Sequence, residues 1–194
     1  MALRLPAIER KEQVLDVALS VFAVKGFHDT SMNDIAEAAG VTKPVVYQHY
    51  ESKRALFLAI IDHVGDRMID VLTAATSGLT DGQAQVEAGM IAFFTWVERD
   101  KNAFKFVFDS GTQNDEEFTV AIRKVLDRSA EAIAPLIAID LDPIHVRTLA
   151  HGVAGASEGV ARFLINNTTA FNGELIGKQI ANLVWAGLRG VDSE

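Results

Sequence analysis

Apolar residues recur along this chain every three to four positions and almost nowhere every two. That spacing gathers them on one side of a helix, so the chain is read as helical throughout, with no strand. Leu15, Ala18, Leu19 and Phe22 mark one face of a first helix over about residues 7–25. Gly26 is expected to end it, and Phe27 to drop back onto the core. Two short helices follow, over about 31–38 and 42–48. A fourth helix, capped by Ser52, runs to about residue 75, with Leu56, Ile60, Val64 and Met68 on one side. Asp81 caps the next, over about 82–99, and a phenylalanine-rich helix spans about 102–109. Beyond the polar loop SGTQNDEE, helices are predicted over about 116–138, 143–166 and 173–189, with Pro135 bending or ending the first of these.

The densest information lies between Thr30 and Leu56. Ser31 can cap the second helix, and Asp34 three residues on completes a box-like start. Ile35, Ala38 and Ala39 give that helix its apolar face. Gly40 breaks it, because glycine takes the left-handed helix-end conformation at little cost. Thr42 is a good cap for the third helix, and Pro44 suits its first turn, where a missing amide donor does no harm. A short helix, a glycine turn and a second short helix form a helix-turn-helix, whose second helix can enter a DNA major groove. On its groove-facing side Lys43 can reach guanine or a phosphate, Pro44 and Val45 can meet thymine methyls, and Gln48 can read adenine. Thr42 belongs to the same side, whereas Ala36 and Val46 read as core and Tyr50 as either core or surface.

These residues carry a resemblance. Thr30, Met32, Ile35-Ala36, Ala39-Gly40-Val41, Thr42, Tyr47, Tyr50 and Lys53 follow, without a break in spacing, the pattern of the DNA-binding domain of the tetracycline-repressor (TetR) family of bacterial regulators. The resemblance implies that Tyr47 and His49 lie at the DNA surface, that Thr30 binds phosphate, and that Lys53 binds phosphate from the start of the fourth helix. It also implies a helical body holding an effector pocket, and a dimer built by the last two helices. The strings TKPVVYQHYESK, AFFTWVERD and GVAGASEGVARF further resemble actinobacterial regulators of fatty-acid synthesis that answer to long-chain acyl-CoA.

Charge modifies the picture. The net charge of −8 is unusual for a DNA binder. It is unevenly spread: residues 1–55 hold 7 Lys+Arg against 7 Asp+Glu, and residues 56–194 hold 11 against 19. A neutral N-terminal part can still set its cations on one face, which is what decides phosphate contact. With no cysteine, disulfides, thiolate metal sites and cysteine nucleophiles are excluded. No run of about 18 apolar residues predicts a membrane helix, and the N-terminus does not have the pattern of a secretory signal, so a cytoplasmic protein is expected.

The body offers a pocket and a pairing surface. Phe93, Trp96, Phe104, Phe108 and Phe163 are the candidates for an apolar wall around a small hydrophobic effector, although aromatic residues at helical spacing equally serve as plain core. Gly152, Gly155, Ala156 and Gly159 would let the eighth helix approach another closely. Ile176, Ile180, Leu183 and Val184 form an apolar stripe on the ninth, with Trp185 off the stripe as a possible anchor, although both stripes could also pack on the chain's own core. Catalysis finds no support: Gly155-Ala-Ser157-Glu-Gly159 spells a hydrolase elbow but lacks the strand it needs, and the five histidines form no metal motif. No catalytic residue, metal or cofactor is expected.

The expectation is therefore an all-α transcription regulator. Residues 1–52 would form a helix-turn-helix DNA-binding domain, and residues 53–194 a helical effector-binding and dimerisation domain, with the fourth helix as connector. It would act as a ligand-released repressor, a homodimer on a near-palindromic double-stranded operator, answering to a small hydrophobic effector of the fatty-acid or acyl-CoA kind. The effector would work by favouring a different tilt of the fourth helix. The alternative is a helical small-molecule-binding protein without specific DNA function.

Overall fold

The computed structural model describes residues 7–108, 115–137 and 141–191, and among these every regular element is helical. In chain order they are α1 (Ala7–Asp29), α2 (Met32–Ala38), α3 (Lys43–His49), α4 (Lys53–Thr76), α5 (Gly82–Arg99), α6 (Lys101–Phe108), α7 (Glu116–Ile133), α8 (Pro143–Asn167) and α9 (Gly173–Leu188). The all-α fold class expected from periodicity holds. Gly26 breaks the regular path of α1 with φ of 77° and ψ of 169°, as its position predicts. Pro135 ends α7, which stops at Ile133 and tightens into a 3₁₀ turn over Ala134–Leu136 rather than continuing to 138.

The described residues divide into two compact units. One comprises those of Met1–Val64 and Asn102–Ile122, and the other those of Gly65–Lys101 and Arg123–Glu194. The expected boundary at residue 52 is thus not where compactness divides the chain. The physical reason is Phe57, fully buried on α4. Its ring lies 5.2 Å from that of Phe22, 5.0 Å from Phe27, 4.4 Å from Phe106 and 4.5 Å from Phe118. Pairs at such separations add to simple area burial. They join the start of α4, most of α6 and the start of α7 to the helix-turn-helix core. Phe27 returns to that core, as expected.

The second unit has a different seam. A Cβ placed on Gly173 would lie 2.5 Å from the Phe94 carbonyl oxygen, and one on Gly177 2.5 Å from Ile91 Cα. Ala181, one turn further, is buried. Small residues at every fourth position of α9 therefore let its backbone approach that of α5. The start of α9 is held there by Glu98, whose carboxylate accepts from the Gly173 amide at 2.9 Å. Elsewhere Ala130, Ile137 and Ala150 form a smaller cluster with Ile133, Ala134, Val146 and Leu149.

Candidate nucleic-acid interface

Helix α2 starts as its sequence dictates. The Asp34 amide donates to Ser31 Oγ at 3.1 Å, and the Ser31 amide donates to the Asp34 carboxylate at 2.8 Å, a reciprocal box. Lys25 adds an ion pair to the same carboxylate at 2.8 Å. Together these bonds hold the Asp34 carboxyl well below the usual carboxylate range, the Lys25 ammonium contributing most. Met32, Ile35 and Ala36 face inward, and Gly40 turns the chain at φ of 64°. Three residues of the Thr30–Leu56 stretch thus do locally what their spacing predicts.

Helix α3 is two-sided. Val46 is fully buried, and Tyr50, the residue that follows the helix, is buried with it. On the other side Thr42, Lys43, Pro44, Tyr47 and Gln48 are exposed, while Val45 and His49 are half-buried at its edges. Tyr47 is 45% exposed, with the Lys43 ammonium 5.9 Å from its ring centroid. Thr42 has the extended backbone of a cap but makes no side-chain capping bond. Its carbonyl alone closes the first turn, accepting from the Val45 amide at 2.9 Å. The structure therefore gathers on one outward face the α3 residues that the sequence assigned to DNA.

Two other residues of that assignment are occupied inside the protein. Thr30 is 2% exposed, and its hydroxyl donates to the Gly26 carbonyl at 2.7 Å. The Lys53 ammonium donates to the carbonyls of Phe27, His28 and Thr30 at 2.6, 3.1 and 2.7 Å and lies over the Phe27 ring. An ammonium has three protons, and these three carbonyls take them all. Both side chains serve the carbonyls released where Gly26 breaks α1, which need donors.

The cations of residues 1–55 are sorted accordingly. Lys25 is paired with Asp34, and Lys53 is taken by carbonyls. Arg54 forms a fork with Asp115 at 2.9 and 2.6 Å, reaches Glu117 at 2.9 Å, and stacks over Phe118. Hydrogen bonds to these carboxylates raise the Arg54 pKa, and the Arg54 guanidinium in turn holds the Asp115 carboxyl below its usual range. Arg10, Lys11 and Lys43 have no carboxylate partner among the described residues. Arg10 donates to Gln13, and Lys11 lies 6.0 Å from the Tyr50 ring centroid. Arg4 lies outside the described residues. The Tyr50 hydroxyl is buried with no hydrogen-bond partner among the described residues, and burial pushes its pKa up to about 12.

The remaining candidates fall as follows. Phe93 and Trp96 on α5 are buried, with ring centroids 6.3 Å apart, and belong to the second unit. Phe104 and Phe108 on α6 are buried 4.8 Å apart and belong to the first. Phe163 is 62% exposed and walls no interior among the described residues. It continues instead the outward face of α8 formed by Gly152, Gly155, Ala156 and Gly159, where an added Cβ at any of the three glycines would meet nothing within 4 Å. On α9 Leu183 is 68% exposed, while Ile176, Ile180 and Val184 are half-buried. Trp185 covers Gly82 at the start of α5. Ser157 sits inside α8 with its hydroxyl bonded back to the Val153 carbonyl at 2.8 Å, not on a strand-to-helix elbow. Among the described residues no group of three His, Asp or Glu could hold a metal ion, and no helix is long and apolar enough to cross a membrane.

The sequence reading missed Lys53's carbonyl partners, the Arg54 fork and the α9 seam. Two signals were available: a pair of cations at the start of a helix, where the dipole disfavours them, and small residues spaced by four at 173, 177 and 181.

Comparison with known proteins agrees with this geometry. The model of the family described as bacterial regulatory proteins, tetR family, matches residues 14–60. The chain is 30% identical over 187 residues to the HTH-type transcriptional activator FasR of Mycolicibacterium smegmatis, a match covering 95% of this chain and 85% of that one. A TetR-like transcriptional regulator from Rhodococcus sp. RHA1 is 29% identical, with a TM-score of 0.76 over 97% of this chain and 100% of that. The regulator FadR of Bacillus subtilis, solved in complex with stearoyl-CoA, shares the fold with a TM-score of 0.77 at 15% identity, over 93% of this chain and 99% of that. A helix-turn-helix with one sealed and one open face, joined to similarity along nearly the whole chain, makes this protein a DNA-binding transcription regulator and a member of the tetR family.

Proposed function

We propose that this regulator acts in the cytoplasm as a homodimer on a near-palindromic operator, and that a small hydrophobic effector of the fatty-acid or acyl-CoA class releases it. The observation that carries the DNA half is the outward face of α3, with Thr42, Lys43, Pro44, Tyr47 and Gln48 exposed opposite a buried Val46. Those five residues, with Val45 and His49 at the edges, touch DNA: Lys43 at guanine or phosphate, Gln48 at adenine, Pro44 and Val45 at thymine methyls. One such helix reads few base pairs, so two are set about one helical turn apart. The outward face of α8 and the stripe of α9, with Phe163 and Leu183 exposed, supply the surface for a second copy.

The effector half rests on three supports. The B. subtilis FadR of the same fold was solved with stearoyl-CoA. The strings around residues 42–53, 92–100 and 152–163 resemble acyl-CoA-responsive regulators. The Trp96 indole N–H is buried with no partner among the described residues, and an acyl carbonyl would supply the acceptor it lacks. The effector acts by binding the low-affinity state better than the DNA-bound one. Release raises transcription where the bound protein blocks a promoter, the repressor reading. The M. smegmatis relative is an activator, so the target promoter decides the sign.

Selection of bound sequences from a random DNA pool tests the first half. A near-palindrome is expected; no enriched sequence would sink it. Titrating stearoyl-CoA into the complex tests the second, and an operator affinity that does not move would end the acyl-CoA assignment. Gly155→Leu tests the pairing face by sedimentation: an added Cβ there meets nothing within 4 Å in the protomer, so the protomer should fold and the dimer dissociate. An intact dimer would place the interface elsewhere.

A further inference from the structure

Helix α4 is the connector that the sequence suggests, yet α7 has the same standing. The residues of α4 up to Val64 belong to the first unit and those from Gly65 to the second, and α7 divides in the same way between Ile122 and Arg123. Within each unit the two helices are tied to one another. In the first unit the tie lies at their opening turns. Arg54 forms its fork with Asp115 at 2.9 and 2.6 Å and stacks over Phe118. Asp115 is at the same time the cap of α7, its carboxylate accepting from the amides of Glu117 and Phe118 at 3.2 and 3.4 Å. Arg54 therefore holds the end of α7 itself. Phe57, one turn further along α4, has its ring 4.5 Å from that of Phe118. Ring contacts are non-directional and let helices slide, whereas a two-point fork fixes register.

In the second unit the tie lies at Gly65. A Cβ placed there would be 2.8 Å from Val125 Cγ2 and 3.1 Å from its Cγ1, and the neighbouring Asp66 pairs with Arg128. Val125 is buried and β-branched, so within a helix one side-chain rotamer prevails and it does not turn aside. The separation in sequence is 61 for Arg54 and Asp115 and 62 for Asp66 and Arg128, so α7 accompanies α4 in the same register in each unit. Helix α4 in turn opens shortly after Tyr50, the buried residue that follows α3. We propose that α4 and α7 act on the DNA-reading helix as a coupled pair, and that the Arg54–Asp115 fork is the joint through which a shift of α7 reaches α3. Whatever displaces α7 in the second unit then acts on α3 through the fork. With the fork broken, α7 shifts while the first turn of α4, and with it α3, keeps its place.

The test needs no effector, because Gly65→Ala displaces α7 by itself: the new methyl meets Val125 well inside the contact distance of two carbons. Wild type, Gly65→Ala, Arg54→Met and the double variant, all full-length, are titrated with the duplex selected from a random pool, at a temperature where circular dichroism shows each folded. Amide exchange over residues 42–50 is followed on the same proteins without DNA, so a failure of the operator reading stays distinct from a failure of the joint. Gly65→Ala is expected to shift selected-site affinity at least about threefold, the lower end of coupling along such networks, and to alter exchange in α3. Adding Val125→Ala removes the methyls that the new one meets and should restore both. In the Arg54→Met background Gly65→Ala should move neither affinity nor exchange. Asp115→Asn keeps a cap for α7 but removes the charge that Arg54 holds, and should silence Gly65→Ala in the same way. Should Gly65→Ala not fold, Asp66→Asn loosens the same junction without an added atom and takes its place. Wild-type affinity and exchange in a folded Gly65→Ala protein would overturn the proposal. An effect of equal size with and without the fork would do so too, and would leave α4 as the sole carrier.

Discussion

Gly177→Ala tests the seam that fastens α9 to α5. An alanine Cβ there would lie 2.5 Å from Ile91 Cα, 2.8 Å from Ile91 N and 2.9 Å from the Met90 carbonyl oxygen. Carbon atoms rest at about 3.5–4.0 Å, so relief requires a shift of about 1 Å or more. All three obstructing atoms are backbone, and none can rotate aside. Helix α9 must therefore lift, which also disturbs Gly173, whose Cβ position is 2.5 Å from Phe94 O, and the buried Ala181. Overpacking of this kind costs about 1–3 kcal/mol, and a clash against rigid backbone belongs at the upper end. Alanine returns up to about 1 kcal/mol in helix propensity. The net loss is about 2 kcal/mol, or about 4–8 °C in midpoint for a chain of this size. Gly89→Ala is the control, since its Cβ would meet only Thr76 Cγ2 at an ordinary 3.5 Å. Thermal unfolding by circular dichroism at one fixed protein concentration should show Gly89→Ala unchanged or raised and Gly177→Ala lowered. A Gly177→Ala protein as stable as wild type would mean that α9 does not lie on α5 at this distance.

Three further outcomes follow from the helix-turn-helix. Lys43→Ala should weaken selected and random DNA alike and lower the salt slope by about 0.9 per subunit if the ammonium meets a phosphate; a loss confined to particular bases would place it on a guanine edge instead. Tyr50→Phe deletes a buried hydroxyl that has no partner, so stability should hold or rise and DNA affinity stay put. A clear fall in the unfolding midpoint would show that the hydroxyl is bonded after all. The Asp34 carboxyl is held below its usual range, so its contribution to the α2 cap is present above the unfolded value of about 3.8 and is lost only as pH falls through the lower folded one. Carboxyl carbon shifts should show Asp34 still ionised at about pH 3.5, where ordinary carboxylates are largely protonated; normal titration would refute the box and the Lys25 pair.

What the sequence determined by itself was whatever is decided within a few residues. Apolar spacing marked each helix, the Ser31–Asp34 pair its start, and Gly26 and Gly40 its breaks, because helix hydrogen bonds, caps and left-handed turns join residues at most four or so apart. The same locality exposed one side of α3 and buried Val46 on the other, which is why the outward face of α3 was legible. The tertiary structure alone decided the partners of side chains that reach further. Lys53 looks from its motif like a free cation, yet it meets carbonyls 23 to 26 residues away, and Arg54 finds carboxylates 61 and 63 residues on. Phe57 drew α6 and the start of α7 into the unit that carries α3, moving the boundary expected at residue 52. Phe163 was assigned to an interior because aromatic residues favour burial, but among the described residues it lies 62% exposed on the outward side of α8. Periodicity states that a face is apolar. Which surface covers it, and which oxygen receives a long cationic side chain, depends on elements brought together only when the chain is folded.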